Sequence, residues 1–141
     1  MIAIGSDHAG YEYKEQLKKL LDEMGKSYQD FGTNSPDSVD YPDIARLVSK
    51  AVVSEKFIRG ILICGTGIGM SIVANKHKGI RAAVCESIAS AKLSREHNDA
   101  NILCLPGRFI SQYEALNAVM AFLTTDFEGG RHQARIEKIP I

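Results

Sequence analysis

Short apolar runs alternate with longer amphipathic stretches along the whole of this chain. The first run, Ile2-Ala3-Ile4-Gly5, is followed by Tyr13, Leu17, Leu20, Leu21 and Met24 at helical spacing, with Gly25 placed to stop that helix. Tyr28 to Phe31 reads as a second, weaker strand. Asp40-Tyr41-Pro42-Asp43 offers an N-cap aspartate and a proline in the first helical turn, where its missing N–H costs no bond. Behind it Ile44, Leu47, Val48, Ala51 and Val52 fall on one face. Gly60-Ile61-Leu62-Ile63-Cys64 is a continuous apolar run, as expected of a strand covered on both faces. Further strands are predicted over Ile80 to Cys85 and Ile102 to Leu105, and Ser111-Gln112-Tyr113-Glu114 is a capping box opening a last long helix with Leu116, Val119, Met120 and Leu123 inward. The pattern predicts an α/β fold with a five-stranded parallel sheet and helices on both faces. Ligands of such sheets bind beyond the carboxyl ends of the strands, at a switch in strand order, and the polar clusters of this chain lie there.

The length of 141 residues predicts one domain over 1–141, with no repeat, linker or low-complexity stretch. Seventeen basic residues balance seventeen acidic ones, leaving no field to gather nucleic acid or an anionic membrane, so a small-molecule partner is expected. The start of the chain lacks a basic, then apolar, leader and no stretch approaches a membrane span, which makes a cytoplasmic location the expectation. Cys64, Cys85 and Cys104 are too widely spaced for a CxxC metal site and odd in number for a disulfide framework.

The most informative segment is Cys64-Gly65-Thr66-Gly67-Ile68-Gly69-Met70-Ser71, between a strand and a helix that includes Ile72, Val73 and Ala74. Glycines there let the backbone turn sharply and bring several N–H groups near a ligand, and the helix start adds unpaired donors. Such a nest suits a phosphate or a reaction oxyanion. One reading is a dinucleotide loop, for which Glu86 would be the ribose-binding acid; against it, the third glycine of the motif would fall at Met70, and the loop follows the third strand. The other makes Cys64 a proton-abstracting base. A thiol at a strand end facing a helix N-terminus gains thiolate character, and the loop amides would stabilise an enediolate, each donor being worth ~3 kcal/mol of barrier. A lone cysteine is more often buried and inert. The adjoining Gly-Thr-Gly favours chemistry for Cys64, whereas Cys85 and Cys104 have no such loop.

Asp7-His8 follows the first strand, where the pair can handle protons or grip hydroxyls and phosphate, or Asp7 can serve as a plain N-cap; both readings stand. His97-Asn98-Asp99 closes the fourth helix and, taken alone, reads first as a plain polar terminus, where histidine also suits the dipole. In Gly129-Gly130-Arg131-His132-Gln133-Ala134-Arg135, Arg131 and Arg135 share a face if the segment is helical, and two guanidinium forks suit a phosphate. Arg108, after the last strand, is a third such candidate, and His77 reads as part of an exposed turn with no role.

Taken together, Ser6-Asp7-His8-Ala9-Gly10, Asp40-Tyr41-Pro42, Cys64-Gly65-Thr66-Gly67-Ile68-Gly69, Gly79-Ile80-Arg81-Ala82, His97-Asn98-Asp99-Ala100-Asn101 and Gly129-Gly130-Arg131-His132 resemble, in order and over nearly the whole chain, the B-type ribose-5-phosphate isomerases. That family includes allose-6-phosphate isomerases and galactose-6-phosphate isomerase subunits. The resemblance implies a three-layer Rossmann-like sandwich of strand order 2-1-3-5-4. It also implies a homodimer or dimer of dimers with active sites between subunits, a sugar-phosphate substrate, and no cofactor or metal. By the same resemblance Cys64 would be the base beside Thr66, His97 would assist ring opening, and Asp7 would bind the ring or the reacting hydroxyls. Gly65, Gly67 and Gly69 would form the anion hole, Tyr41 and Asn98 would touch sugar oxygens, and His8, Arg108, Arg131 and Arg135 would hold the phosphate. The implied reaction interconverts ribose 5-phosphate and ribulose 5-phosphate in the pentose phosphate pathway. Alternatives are allose-6-phosphate or galactose-6-phosphate isomerisation, a phosphosugar-binding module without chemistry, and a nicotinamide-dependent oxidoreductase.

Overall fold

A computed structural model of the chain describes residues 1–139. Its strands are β1 (Ile2–Ser6), β2 (Tyr28–Asp30), β3 (Arg59–Cys64), β4 (Ala82–Val84) and β5 (Ile102–Pro106). Its helices are α1 (Tyr11–Glu23), α2 (Tyr41–Val53), α3 (Ile68–Ala74), α4 (Ile88–Asn98), α5 (Gln112–Thr124) and α6 (Arg131–Ile136), with a short 3-10 turn at His8–Gly10 before α1. The sheet is parallel throughout, in the order β2-β1-β3-β5-β4. The connections step outward from β1 to β2 and then in the opposite direction from β3, so the switch point lies between β1 and β3.

Successive side chains of a strand point to opposite faces, and both faces here are covered. Ile2, Ile4, Ile61, Ile63, Leu103 and Leu105 pack with α1, α4 and α5 through Leu17, Leu21, Ala91, Ala118 and Phe122. Ala3, Leu62, Cys64, Ile102 and Cys104 pack with α2 and α3 through Ala45, Val48, Met70 and Ala74. This double covering explains the continuous apolar run of β3.

Several local expectations shift. Gly25 does stop α1: it has φ +68°, and the Lys26 and Gly25 amides donate to the carbonyls of Leu21 and Asp22 at 2.9 and 3.1 Å, a Schellman closure. Asp40 occupies the N-cap of α2, but its side chain makes no capping bond. Leu47 on α2 is 48% exposed and Met120 on α5 is 39% exposed. The inward face of α5 is Ala115, Ala118, Val119 and Phe122, because small residues let that helix sit close to α4. At its start Ser111 accepts from the Glu114 amide, yet the Glu114 carboxylate accepts from the Ile88 amide at 3.2 Å and so caps α4 instead of completing its own box. The reciprocal box belongs to Ser87 and Ser90. The fourth strand is confined to Ala82–Val84, with Ile80 and Cys85 buried just outside it. His77 is half-buried, its Nδ1 lying 3.1 and 3.2 Å from the Val73 and Ala74 carbonyls, so it caps the end of α3 and is no free turn residue.

Candidate active site

Cys64 is the last residue of β3 and only 5% exposed. Its Sγ accepts the Gly67 N–H at 3.1 Å. Gly67 is the N-cap of α3 at φ +75°, a left-handed conformation that costs an L-residue about 1–2 kcal/mol, so glycine there turns the amide toward the sulfur without strain. The Thr66 hydroxyl accepts from the Ile68 amide at 3.1 Å. Among the described residues, no internal hydrogen bond engages the amides of Gly65 and Thr66. Gly69 lies under the ring of Tyr41, where a Cβ would come 2.5 Å from a ring carbon. Loop and phenol are thus fitted to each other, and Tyr41 stays 40% exposed at the start of α2.

The loop after β5 is tied to this one: Gly107 and Arg108 amides donate to the Cys64 and Gly65 carbonyls at 2.7 and 3.1 Å, and the Arg108 side chain runs alongside Gly65. Asp7 sits after β1 at the same edge, its amide donating to the Ile63 carbonyl at 3.2 Å. Its Oδ1 accepts the Ala9 and Gly10 amides at 2.9 and 3.1 Å, so the N-cap reading holds for that oxygen while Oδ2 has no donor among the described residues. His8 Nδ1 accepts the Val39 amide at 3.3 Å, which leaves Nε2 for a ligand. Asp7, His8, Tyr41, Cys64, Thr66, the three loop glycines and Arg108 therefore gather at the carboxyl ends of β1 and β3.

Lys14 of α1 stabilises this end of the sheet from below. It is fully buried; Nζ donates to both Asp30 oxygens at 2.7 and 2.9 Å and to the Thr33 carbonyl. Asp30 also pairs with Lys18 at 2.6 Å and accepts the Gly32 amide at 2.8 Å. Burial would raise the Asp30 carboxyl, but the bonds from Lys14, Lys18 and Gly32 outweigh it and hold the group below the usual carboxylate range. The network fixes the start of the segment that carries Val39 to His8 and Tyr41 to Gly69. The thiols of Cys85 and Cys104 are pushed up by burial, in keeping with inert structural roles.

His97, Asn98, Arg131 and Arg135 form a second group elsewhere. α4 runs back from the end of β4 to the opposite edge of the sheet, where the Asn101 carbonyl accepts from Gly60 at the beginning of β3 and the Asn98 carbonyl accepts from Arg81 beside the beginning of β4. Arg131 and Arg135 are exposed on α6, and because that segment is helical the two share a face. His97 stacks on His132, ring centroids 4.3 Å apart and planes inclined by 16°. Arg95, 3% exposed, donates to the Thr125 carbonyl at 3.1 Å and so docks the segment leading to α6 on α4. A cavity of about 230 Å³ is lined by His97, Asn98, His132, Arg135, Ile136 and Ile139. Within one chain Cys64 and His97 thus lie at opposite ends of the strands. The packed partners of His97, His132 and Glu128, were missed because two glycines interrupt any periodicity that would have linked them to α4.

A larger apolar cavity beside β4, lined by Ile80, Ala82, Ala83 and Ala100 among others, holds no group suited to proton transfer. Among the described residues no helix is long and apolar enough to cross a membrane.

The family model described as Ribose/Galactose Isomerase matches residues 2–139. Ribose-5-phosphate isomerase B of Escherichia coli (strain K12) is 47% identical over 138 residues, covering 98% of this chain and 93% of that protein. Among solved structures, Clostridium thermocellum ribose-5-phosphate isomerase B superposes with a TM-score of 0.96 at 51% identity, covering 98% of this chain and 93% of the other. The Mycoplasma genitalium ribose-5-phosphate isomerase B with bound ribulose-5-phosphate gives 0.94 at 45% identity, covering 98% and 92%. A sequence match over nearly the full length, joined to the same backbone, identifies this chain as a member of the ribose/galactose isomerase family.

Proposed function

We propose that this chain, acting as one domain, interconverts ribose 5-phosphate and ribulose 5-phosphate in the cytoplasm through a cis-enediolate, as a step of the pentose phosphate pathway. The observation that carries this reading is the bond from the Gly67 amide to Cys64 Sγ, made at the switch point beside Asp7, His8, Tyr41 and Arg108. A buried sulfur that accepts a main-chain N–H is held in the orientation its thiolate needs. The relatives named ribose-5-phosphate isomerase B support the choice of sugar.

In the proposed cycle the substrate phosphate rests on Arg131, Arg135, Arg108 and His8, which fixes its distance to the reacting end. His97 assists opening of the furanose, and Tyr41, Asn98 and Asp7 bind sugar hydroxyls. Cys64, with Thr66 beside it, takes the proton from C2; the C–H electrons form the C1–C2 double bond and the carbonyl electrons move to O1. The Gly65 and Gly69 amides, with the Gly67 amide shared between the sulfur and the substrate, face the resulting negative charge, supplying the polarisation a metal would otherwise supply. The O2 proton then passes to O1, the O2–H electrons forming the C2 carbonyl, while the C1–C2 double-bond pair takes back at C1 the proton held by Cys64, which gives the ketose and restores the thiolate. Because Cys64 and His97 lie at opposite ends of the strands in one chain, the active unit is a homodimer, alone or paired again, in which each site takes Cys64 from one subunit and His97 with the α6 arginines from the other. Exposed Ile68, Ile72, Leu93, Phe109 and Tyr113 supply apolar surface for such contacts.

The test is a coupled assay for ribulose 5-phosphate. Cys64→Ala is expected to lower kcat by about a hundredfold or more with KM nearly unchanged, the size of a lost general base. Substantial turnover in that variant removes Cys64 from the reaction. Comparing kcat/KM on ribose 5-phosphate and allose 6-phosphate tests the choice of sugar.

A further inference from the structure

His97, Glu128 and His132 come from three segments, α4, the loop after α5, and α6, and their donor atoms all lie within 4.8 Å of one another. The arrangement is built into the backbone. The Glu128 amide donates to the Glu96 carbonyl at 3.1 Å, pinning the loop to the end of α4. Gly129 and Gly130, at φ +71° and +56°, then turn the chain so that His132 comes back over His97. One carboxylate oxygen, Glu128 Oε1, sits 3.3 Å from His132 Nε2 and 3.9 Å from His97 Nε2. Both imidazole nitrogens therefore lie within reach of one carboxylate oxygen, although the two rings are stacked with their planes only 16° apart.

We infer that His97, Glu128 and His132 form a binding site for a divalent transition-metal ion, of the Zn²⁺, Co²⁺ or Ni²⁺ class, whose occupancy withdraws His97 from the isomerase. Two imidazoles and one carboxylate are a donor set zinc takes with a fourth position left to water. Tetrahedral bonds of ~2.1 Å set donor atoms roughly 3.4 Å apart, against 3.9 and 3.3 Å from Glu128 Oε1 to the His97 and His132 imidazoles; the 40% exposed His97 ring must turn out of its stack on His132 for both nitrogens to bond one ion. Arg135 lines the adjoining cavity and disfavours a purely electrostatic guest, so the site selects ions that bond strongly to nitrogen over Mg²⁺ or Ca²⁺, which take oxygen donors. His132 is 94% buried and Glu128 half exposed, giving a rigid ligand on the inner side and an entry path on the outer. Metal binding goes beyond the proposed isomerisation; the inhibitory consequence rests on it.

The experiment titrates Co²⁺ into chelator-stripped full-length protein and follows the visible absorption of nitrogen-ligated cobalt together with ribulose 5-phosphate production. A saturable band is expected in the wild type, retained in Cys64→Ala and His77→Asn, and lost in both Glu128→Gln and His97→Asn when circular dichroism shows those variants folded. Wild-type activity is expected to fall as the band rises and to return on adding chelator. Absence of a band at saturating Co²⁺, its persistence in both site variants, or its loss in Cys64→Ala overturns the metal site. A full band with undiminished activity overturns the withdrawal of His97. If stripped wild-type protein makes no ribulose 5-phosphate, the isomerase reading fails while the cobalt band still stands or falls on its own.

Discussion

The environment of each sulfur separates the three cysteines. Cys85 and Cys104 are packed among apolar neighbours that raise their thiols, whereas Cys64 accepts a directed N–H from Gly67. That bond depends on the left-handed turn at Gly67. Gly67→Ala is expected to destabilise the fold by about 1–2 kcal/mol in urea titration and to lower kcat, since relief of the strain moves the amide away from the sulfur. Gly69→Ala tests a different contact: its methyl group would displace the Tyr41 ring, so KM is expected to rise while stability changes little. An unaltered KM would separate Tyr41 from the sugar.

Between residue and fold stands the anchoring of the 31–40 segment by α1. Lys14 is the one fully buried cation of that helix, and Asp30 at the end of β2 holds it. Lys14→Met leaves the Asp30 carboxylate with Lys18 and the Gly32 amide as partners, so its cost is at most that of a buried pair broken outright, about 3–5 kcal/mol. A midpoint shift within that bound in denaturant, with a raised KM as the loop to Tyr41 loosens, is the expected outcome. The pH dependence follows from the same group. The Asp30 carboxyl titrates lower in the folded protein than its ordinary value of ~3.9, so below neutral pH the unfolded chain binds its proton first. The stability it contributes is complete above that ordinary value and is lost as pH falls through the folded one. Urea midpoints measured from pH 6 down to 3 are expected to fall more steeply in the wild type than in Lys14→Met.

At the scale of the molecule, the separation of Cys64 from His97 makes assembly a requirement of the proposed chemistry. Cys64→Ala and His97→Asn, each inactive alone, are expected to regain roughly a quarter of wild-type activity when refolded together in equal amounts. Half of the dimers would then be mixed, with one intact site of two. No recovery on mixing would mean that each site is contained in a single chain.

The fold was legible because it rests on local, periodic signals. Continuous apolar strands require cover on both sides, Gly25 closes α1, and the loop from Cys64 to Gly69 stands where a strand must turn into a helix. The candidate residues were legible one by one for the same reason, since each lies beside a strand end or in a glycine turn. Distance in the sequence hid the rest. The buried Lys14–Asp30 pair reads as two solvated charges until β2 is laid beside β1, and Glu114 reads as the cap of its own helix until α4 is packed against it. Only the course of α4 back across the sheet decided that His97, Glu128 and His132 meet each other and stand apart from Cys64. Such meetings depend on how elements pack, and no periodicity along the chain encodes the side chains that packing brings together.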